Sequence, residues 1–246
     1  MKILLPPSET KRPGGAGAPL DLTGLALPSL HAHREAVVDA LIALAGDVSA
    51  AQKVLKLSDR QVDEIALNRM LRESPTMAAV DRYTGVIYDA LGAGTLGAPG
   101  RRWLRDHLLI HSAPFGPVGA FDQIPSYRLA AGTTLPGIPP MRRHWADATS
   151  AALSGERFVL DLRSEAYAAL GPIPSSVSSA YVRVVTGEGR ALNHFNKKAK
   201  GELVRRLAST RPRVRSLPGL LRWASDHGEH LRTTGEPGIL ELVTDG

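Results

Sequence analysis

Short apolar runs that favour β-strands alternate with helical patterns along the whole chain of 246 residues, without an internal repeat. No clean boundary separates the two kinds of segment, which is typical of one mixed α/β (α+β) fold. We therefore predict a single domain over residues 1–246 with a mixed central sheet. The predicted strands are residues 2–5, 107–111, 158–162, 181–185, 191–195 and 239–243, the fourth and fifth flanking a turn at 187–189. Helices are predicted over residues 81–91 and 101–106, and from about residue 195 onward.

Residues 31–80 are mainly helical in pattern, and we predict that they form a lobe beside the sheet. Within this lobe, two short helices joined by two or three residues predict a helix–hairpin–helix element inside residues 50–70. Lys56 lies in the turn, and Ser58 with Gln61 three residues later has the spacing of a capping box. Such turns bind duplex phosphates through backbone N–H groups at a helix N-terminus. An ordinary capped helix is the alternative, because Ser58 stands where DNA-binding versions often have glycine.

The basic residues are concentrated in one part of the chain. Residues 197–222 contain nine Lys or Arg and a single acidic residue, Glu202, which gives a net charge of +8. The whole chain carries +6 from 30 basic and 24 acidic residues, so the remainder has 21 basic and 23 acidic residues, a net charge of −2. This clustering favours an anionic partner, either duplex DNA or another phosphate-bearing ligand. A solvated helix followed by an exposed arm is the alternative.

The helix predicted from residue 195 has two distinct faces. Apolar residues recur every four positions and predict a face toward the core: Phe195, Ala199, Leu203 and Leu207. On another face Gly201 stands among cations, where the missing side chain would let an anion approach the backbone. The candidate anion-binding residues are Lys56, Ser58, Lys197, Lys198, Lys200 and Arg205.

A second group of polar side chains follows predicted strands, where ligands of open α/β sheets bind. Arg128, in a loop with a proline, either holds a carboxylate or phosphate bidentately or forms a salt bridge with Asp122. Ser164 and Glu165 either reach a ligand or only cap a helix. The candidate catalytic residues are Lys11, Asp122, Tyr127, Arg128, Ser164, Glu165 and Tyr167.

Several classes of protein are excluded or disfavoured by composition. The chain has no cysteine, which excludes disulfides, thiolate metal sites and cysteine nucleophiles. The eight histidines are scattered, and the sequence contains no Walker A loop, G-x-G-x-x-G or H-E-x-x-H motif, so we predict neither metal nor cofactor. No run of 18 uncharged apolar residues occurs, and the first apolar run is too short for a signal peptide. We therefore expect a cytoplasmic protein without membrane contact.

Five segments, in order, resemble the YaaA family of peroxide-stress response proteins over nearly the full length of the chain. The segments are residues 5–11 (LPPSETK), 82–91 (RYTGVIYDAL), 122–129 (DQIPSYRL), 161–167 (DLRSEAY) and 195–201 (FNKKAKG). The resemblance implies a one-domain α/β fold with a helix–hairpin–helix element, which falls on residues 55–66. It also implies a basic cleft for double-stranded DNA, which falls on Lys197, Lys198 and Lys200, and a role in protecting DNA when peroxide meets intracellular iron.

The chain departs from the family pattern at three places. Residues 114–116 read Pro-Phe-Gly where the family usually has Leu-Tyr-Gly, so a phenol is missing. His194 stands where a serine or similar residue is usual, and Lys200 where many relatives have arginine. Lysine keeps the charge of arginine but lacks its bidentate fork.

Three hypotheses for function follow. The leading one is a peroxide-stress protein that binds duplex DNA without sequence specificity and protects it. The alternative is an enzyme of unassigned reaction type, acting on a nucleotide-like or phosphorylated small molecule in a pocket lined by Lys11, Tyr127, Arg128, Glu165 and Lys198. Sequestration of iron by carboxylates ranks last. A deep pocket favours the enzyme, and an open groove as wide as a duplex favours DNA binding.

Overall fold

The structure is a computed structural model that describes residues 1–188 and 195–244. In this part of the chain the strands are β1 Lys2–Leu5, β2 Met77–Ala78, β3 Leu108–Ser112, β4 Gly116–Gly119, β5 Gln123–Ile124, β6 Phe158–Asp161, β7 Ser178–Val185, β8 Leu231–Thr233 and β9 Ile239–Val243. The α-helices are α1 His31–Ala45, α2 Val48–Leu55, α3 Ile65–Arg69, α4 Ala79–Arg82, α5 Val86–Leu91, α6 Ala98–His107, α7 Met141–Leu153, α8 Glu165–Ala169, α9 Phe195–Thr210 and α10 Leu217–Asp226.

Seven strands form one mixed sheet in the order β4-β3-β1-β6-β7-β9-β8, which confirms the predicted mixed α/β fold. The five central strands are parallel, and an antiparallel strand covers each edge. In β1, Ile3 pairs with Leu108 on one side and with Leu160 on the other. Since the central strands run in the same direction, their carboxyl ends lie along one edge of the sheet. The loops that leave this edge position the candidate site.

The core lies on both faces of the sheet, as expected when helices cover a parallel sheet. Along β1, Ile3 and Leu5 join the larger cluster of buried residues, whereas Leu4 joins a smaller cluster with Leu109 and Leu153. This division follows the alternation of side chains along a strand. On α9 the predicted apolar face is confirmed for the described side chains, because Ala199, Leu203 and Leu207 are buried.

Two predicted elements near the site have different bounds. The strand predicted at 107–111 is displaced by one residue, because His107 ends α6. The single helix predicted over 81–91 is wrong, because α4 and α5 are separated at residues 83–85. The backbone of Tyr83 pairs with that of Lys11, the N–H of Thr84 donates to the carbonyl of Thr10 at 3.2 Å, and Gly85 has φ +93°. These contacts to the loop after β1 interrupt the helix.

The lobe at 31–80 is helical for most of its length, as predicted. The capping box is present, with the Ser58 N–H donating to Gln61 Oε1 at 3.2 Å. The segment after it, Asp59–Glu64, is a 3-10 helix that continues into α3. Lys56 ends α2 in the left-handed region at φ 55°.

Two remaining predictions concern residues 191–195. Residues 191–194 lie outside the described residues, and so do His194 and most of the second strand of the predicted hairpin. Residue 195, the last of that predicted strand, belongs to α9. Within the described ranges, no helix is both long and apolar enough to cross a bilayer.

Candidate functional site

Three adjoining cavities follow the carboxyl ends of β1 and β6. An inner cavity of about 260 Å³ and a middle cavity of about 480 Å³ share the wall formed by Pro7, Ser8, Glu9 and Tyr167. The middle cavity and an outer cavity of about 680 Å³ share Pro6, Ile87, Ser164 and Lys197. We call these three cavities together the strand-end cleft. Its walls come from the loops that a parallel sheet places at one edge, where ligands of such sheets bind.

Lys11 lines the inner cavity and is held on several sides. Its Nζ donates to the carbonyl oxygens of Ser8 and Glu9, each at 3.2 Å. The same nitrogen lies 4.1 Å from the centre of the Tyr127 ring. Burial, and next the positive charge of Arg128, lower the pKa of Lys11 to about 7. The amine therefore exchanges between charged and neutral forms near neutral pH.

Behind Lys11 lies a buried group of hydroxyls. The Tyr83 and Tyr127 hydroxyls are 2.8 Å apart, and Ser112 Oγ donates to Tyr127 at 3.2 Å. Burial raises the pKa of both tyrosines, so they remain neutral phenols and act through hydrogen bonds. Phe115, where the family resemblance implies a tyrosine, is buried and packs edge-on against Tyr127 at 5.6 Å. Neither Tyr83 nor Ser112 is among the site residues predicted from the sequence, although Tyr83 lies in a segment that carries the family resemblance.

Arg128 lines the same inner cavity, and the salt bridge with Asp122, one of the two alternatives for this side chain, is absent from the described contacts. Arg128 Nε lies 3.4 Å from Glu64 Oε2 of the lobe. The Asp122 carboxylate instead accepts from the backbone N–H groups of Ala26 at 2.7 Å and Gly119 at 2.8 Å. Asp122 thus organises a loop and lines a separate cavity, and the structure does not bring it to the cleft.

The middle and outer cavities carry the next candidates. Ser164 has extended backbone before α8 and lines both cavities, while Glu165 lines the outer one. Tyr167 reaches the inner and middle cavities, and burial raises its pKa. Lys197 is exposed and lines both outer and middle cavities. A carboxylate, two hydroxyls and a cation thus lie together along the cleft.

Lys200 also lines the outer cavity, although its side chain is almost fully buried. It is only 5% exposed, and its Nζ donates to the Arg163 carbonyl at 3.5 Å and lies 5.6 Å from the centre of the Tyr181 ring. Burial lowers the pKa of Lys200 to about 8, against the opposing effect of Asp161.

The other cations of α9 have partners away from the cleft. Exposed Lys198 lies 3.7 Å from Glu202 on its own helix. Arg205 Nη1 donates to the carbonyls of Leu91 and Gly92, each at 3.1 Å, and thereby binds the end of α5. These side chains diverge, so α9 does not present one continuous basic surface.

The expectation that Gly201 exposes backbone to an anion is wrong. A Cβ at this position would lie 2.3 Å from the Ile87 carbonyl oxygen and 2.8 Å from Ala90 Cβ. Gly201 is therefore the point at which α9 packs closely against α5.

A buried ion pair lies next to Lys200, and neither of its residues is among those predicted from the sequence. Arg163 Nη2 lies 2.6 Å from Asp161 Oδ2, and Arg163 Nη1 lies 2.8 Å from His111 Nδ1. Because arginine remains protonated, it donates to His111, whose pKa is lowered by burial and by Arg163. Asp161 and Arg163 belong to a segment of the family resemblance, and that was the available signal.

Two of the candidate anion-binding residues belong to the lobe and lie apart from the cleft. Lys56 and Ser58 are exposed and do not line any of the three cavities, whereas Glu64 reaches the cleft through Arg128. No cluster of three or more potential metal-binding side chains occurs within residues 1–188 and 195–244.

Comparisons with known proteins agree with the segment pattern. A family model described as peroxide stress protein YaaA matches residues 1–226. A UPF0246 protein of Corynebacterium efficiens is 47% identical over 226 residues, covering 89% of each chain. A UPF0246 protein of Streptomyces coelicolor is 43% identical over 217 residues, covering 85% of this chain and 84% of the relative. An uncharacterized protein of Campylobacter jejuni is 25% identical over 211 residues, 83% of each chain. The chain therefore belongs to the YaaA family of peroxide stress proteins.

Proposed function

We propose that this protein acts in the peroxide stress response of the bacterial cytoplasm by binding a small phosphate-bearing molecule in the strand-end cleft, as an enzyme of still unassigned reaction. The observation that carries the proposal is that two cations, Arg128 and Lys197, line one set of adjoining cavities together with the amine of Lys11. Cations in a partly enclosed site attract an anion more strongly than cations on open surface do.

The dimensions of the cleft favour a small ligand. Individual cavities of about 260 to 680 Å³ fall near the range of about 300–1,000 Å³ that is usual for small-molecule sites. Nucleotide-like and phosphorylated small molecules match both this size and this charge. The cleft also contains carboxylates, from Glu9 and Glu165, and hydroxyls, from Ser8 and Ser164. Phosphate binding alone does not require these additional groups, which favours an enzyme.

The test is a thermal-shift screen with nucleotides and sugar phosphates, followed by titration of the best ligand. Lys197→Ala and Lys198→Ala are a matched pair, since these neighbours are both exposed but only Lys197 lines the cleft. We expect stabilisation at millimolar ligand, about tenfold weaker binding by Lys197→Ala and unchanged binding by Lys198→Ala. A screen without any stabilising phosphate compound, or equal losses in both variants, contradicts the proposal.

Duplex DNA is the second candidate ligand. It is supported by the net charge of +8 in residues 197–222 and by exposed Lys56 beside the Ser58 capping box. In this proposal the helix–hairpin–helix candidate at 50–70 and Lys198 contact phosphates along the outside of the molecule. The logarithm of the association constant should then fall with the logarithm of salt concentration, with a slope of about −0.9 per neutralised phosphate.

Titration of labelled duplex at several salt concentrations tests this second candidate. Lys56→Glu should weaken binding and reduce the salt slope, whereas Lys53→Glu, an exposed lysine within α2, serves as the control for a general change of charge. Absence of binding at low salt, or identical effects of both reversals, rules out the specific role of the turn.

A further inference from the structure

We propose that Lys11 is a nucleophilic amine that forms an imine with the carbonyl group of an anionic aldehyde or ketone, with Arg128 holding the anionic group of that substrate. This inference rests on the proposed function and specifies the substrate class of the same cleft. Both side chains line the inner cavity, which is the smallest of the three.

The contacts of Lys11 are suited to a neutral amine. A neutral amine has two N–H bonds and one lone pair, and two backbone carbonyls, of Ser8 and Glu9, lie at hydrogen-bond distance from Nζ. In the neutral form these two acceptors satisfy both N–H bonds, and the lone pair is free to react. Since the acceptors are backbone atoms of the loop after β1, the nitrogen is held in place without help from a mobile side chain.

The charges around Lys11 make the neutral form accessible near pH 7. Burial and the guanidinium groups of Arg128 and Arg82 favour the neutral amine, whereas the carboxylates of Glu64 and Glu9 favour the ammonium. The face of the Tyr127 ring, 4.1 Å away, also favours a cation. Burial is the largest effect and outweighs those that favour the cation, so the pKa of Lys11 is lowered to about 7, the condition under which lysines act as nucleophiles.

The step balances without a further reagent. The lone pair of Nζ forms a bond to the carbonyl carbon, and the carbonyl oxygen takes up a proton to give a carbinolamine. The hydroxyl then leaves with the remaining nitrogen proton as water, which gives a C=N bond. Nothing is oxidised or reduced. When protonated, the imine carries a positive charge at the position that faces the Tyr127 ring, where the ring stabilises it.

Lys200 is the internal competitor, because burial lowers its pKa to about 8. It lines the outer cavity, away from Arg128, and is packed between the Arg163 carbonyl and the Tyr181 ring. A substrate whose anionic group binds Arg128 should therefore react with Lys11 rather than with Lys200. An aldehyde without an anionic group cannot bind Arg128 in this way and lacks this selectivity.

The test uses glycolaldehyde phosphate and, as its uncharged counterpart, glycolaldehyde, each with cyanoborohydride to trap the imine. Peptide mass mapping then locates the modified lysines at pH 7.5. We expect modification of Lys11 at least tenfold above that of exposed Lys53, and a faster reaction with the phosphorylated probe. Arg128→Gln should remove the preference for the phosphorylated probe. Lys11→Arg should abolish the modification at residue 11 while placing a positive charge there. Lys198→Arg, the control, should behave like the unaltered protein.

The pH dependence gives a second readout that needs no variant. The rate of Lys11 modification should reach half of its maximum near pH 7, while that of Lys53 continues to rise toward pH 10. Even modification of all lysines, or a preference for Lys200, overturns the inference. If a nucleotide or sugar phosphate still stabilises the protein in the thermal-shift screen, only the nucleophile is wrong. If none of them does, the proposed function falls as well.

Discussion

Lys200 lies in a different environment from the other cations of α9, because its side chain is 5% exposed and burial lowers its pKa from 10.5 to about 8. Between these two values the unfolded chain binds more protons at this residue than the folded protein does. The contribution of Lys200 to the free energy of unfolding therefore rises as pH increases from 8 to 10.5, and is least favourable below pH 8. The full penalty at neutral pH is on the order of 3 kcal/mol.

Lys200→Met should remove this pH dependence. Relative to the variant, the unaltered protein should gain about 1 to 2 kcal/mol in free energy of unfolding between pH 8 and pH 9.5. Urea denaturation of both proteins at three pH values in this window measures the difference in their free energies of unfolding. The contributions of the other titrating groups are common to both proteins and cancel in this difference. A constant difference would show that Lys200 is charged in the folded protein throughout this range.

Asp161 and Arg163 allow buried and exposed ion pairs to be compared within one molecule. Asp161→Asn leaves the fully buried Arg163 guanidinium without its carboxylate, which should cost about 3–5 kcal/mol in free energy of unfolding. Glu236→Gln breaks the exposed pair with Arg183 and should have a much smaller effect, because solvent screens this pair. Chemical denaturation measures both. If both variants lost the same small amount of stability, the buried ion pair would contribute no more to the free energy of unfolding than the exposed one does.

At the scale of elements, the pairing of α5 with α9 connects the loop after β1 to the basic helix. Gly201 and Arg205 of α9 both take part in this contact. Gly201 admits the carbonyl of Ile87, and Arg205 binds the last carbonyls of α5 at Leu91 and Gly92. The same packing carries Lys197, one turn before Gly201, to the middle cavity.

Gly201→Ala tests this packing, because close packing and helix propensity predict opposite changes in the free energy of unfolding. Helix propensity alone would stabilise the variant by about 1 kcal/mol. However, the added Cβ would meet a backbone oxygen at 2.3 Å, which cannot move aside as a side chain can. We expect a net loss of about 1–3 kcal/mol by urea denaturation. Gly155→Ala, at an exposed position without neighbours within 4 Å, is the control and should change little.

At the scale of the whole molecule, the cleft joins parts of the chain that are far apart in sequence. The loop after β1 supplies Lys11, the end of β6 supplies Ser164, and α9 supplies Lys197. The helical lobe completes the inner cavity indirectly. Buried Asn68 exchanges two hydrogen bonds of 2.8 Å with the backbone of Arg128, which fixes the cation beside Lys11.

Asn68→Ala should therefore affect both stability and the cleft. Removing the side chain leaves the backbone N–H and carbonyl of Arg128 without their partner, at a cost of about 2–3 kcal/mol in free energy of unfolding. If Arg128 then moves away, its effect on the pKa of Lys11 is lost and that pKa rises. Amine modification of Lys11 at pH 7 should become several-fold slower. An unchanged rate in a destabilised variant would confine the role of Asn68 to stability.

The sequence by itself determined the mixed α/β class, the strands near residues 2–5, 158–162 and 239–243, the buried face of α9 and the family. These features depend on local hydrophobic periodicity and on short contiguous segments, which a linear pattern preserves. The helix break at Gly85 could not be predicted in this way, because its cause is the backbone of Thr10, more than seventy residues away.

Only the tertiary structure decided which cations share the cleft. The charge cluster at 197–222 is evident from sequence, but its members separate into cleft-lining Lys197, buried Lys200, and Arg205 bound to carbonyls. Arg128 likewise meets Glu64 rather than Asp122. Burial and neighbouring charge set the ionisation of a side chain and the partner it binds, and both are supplied by distant segments that only folding brings together.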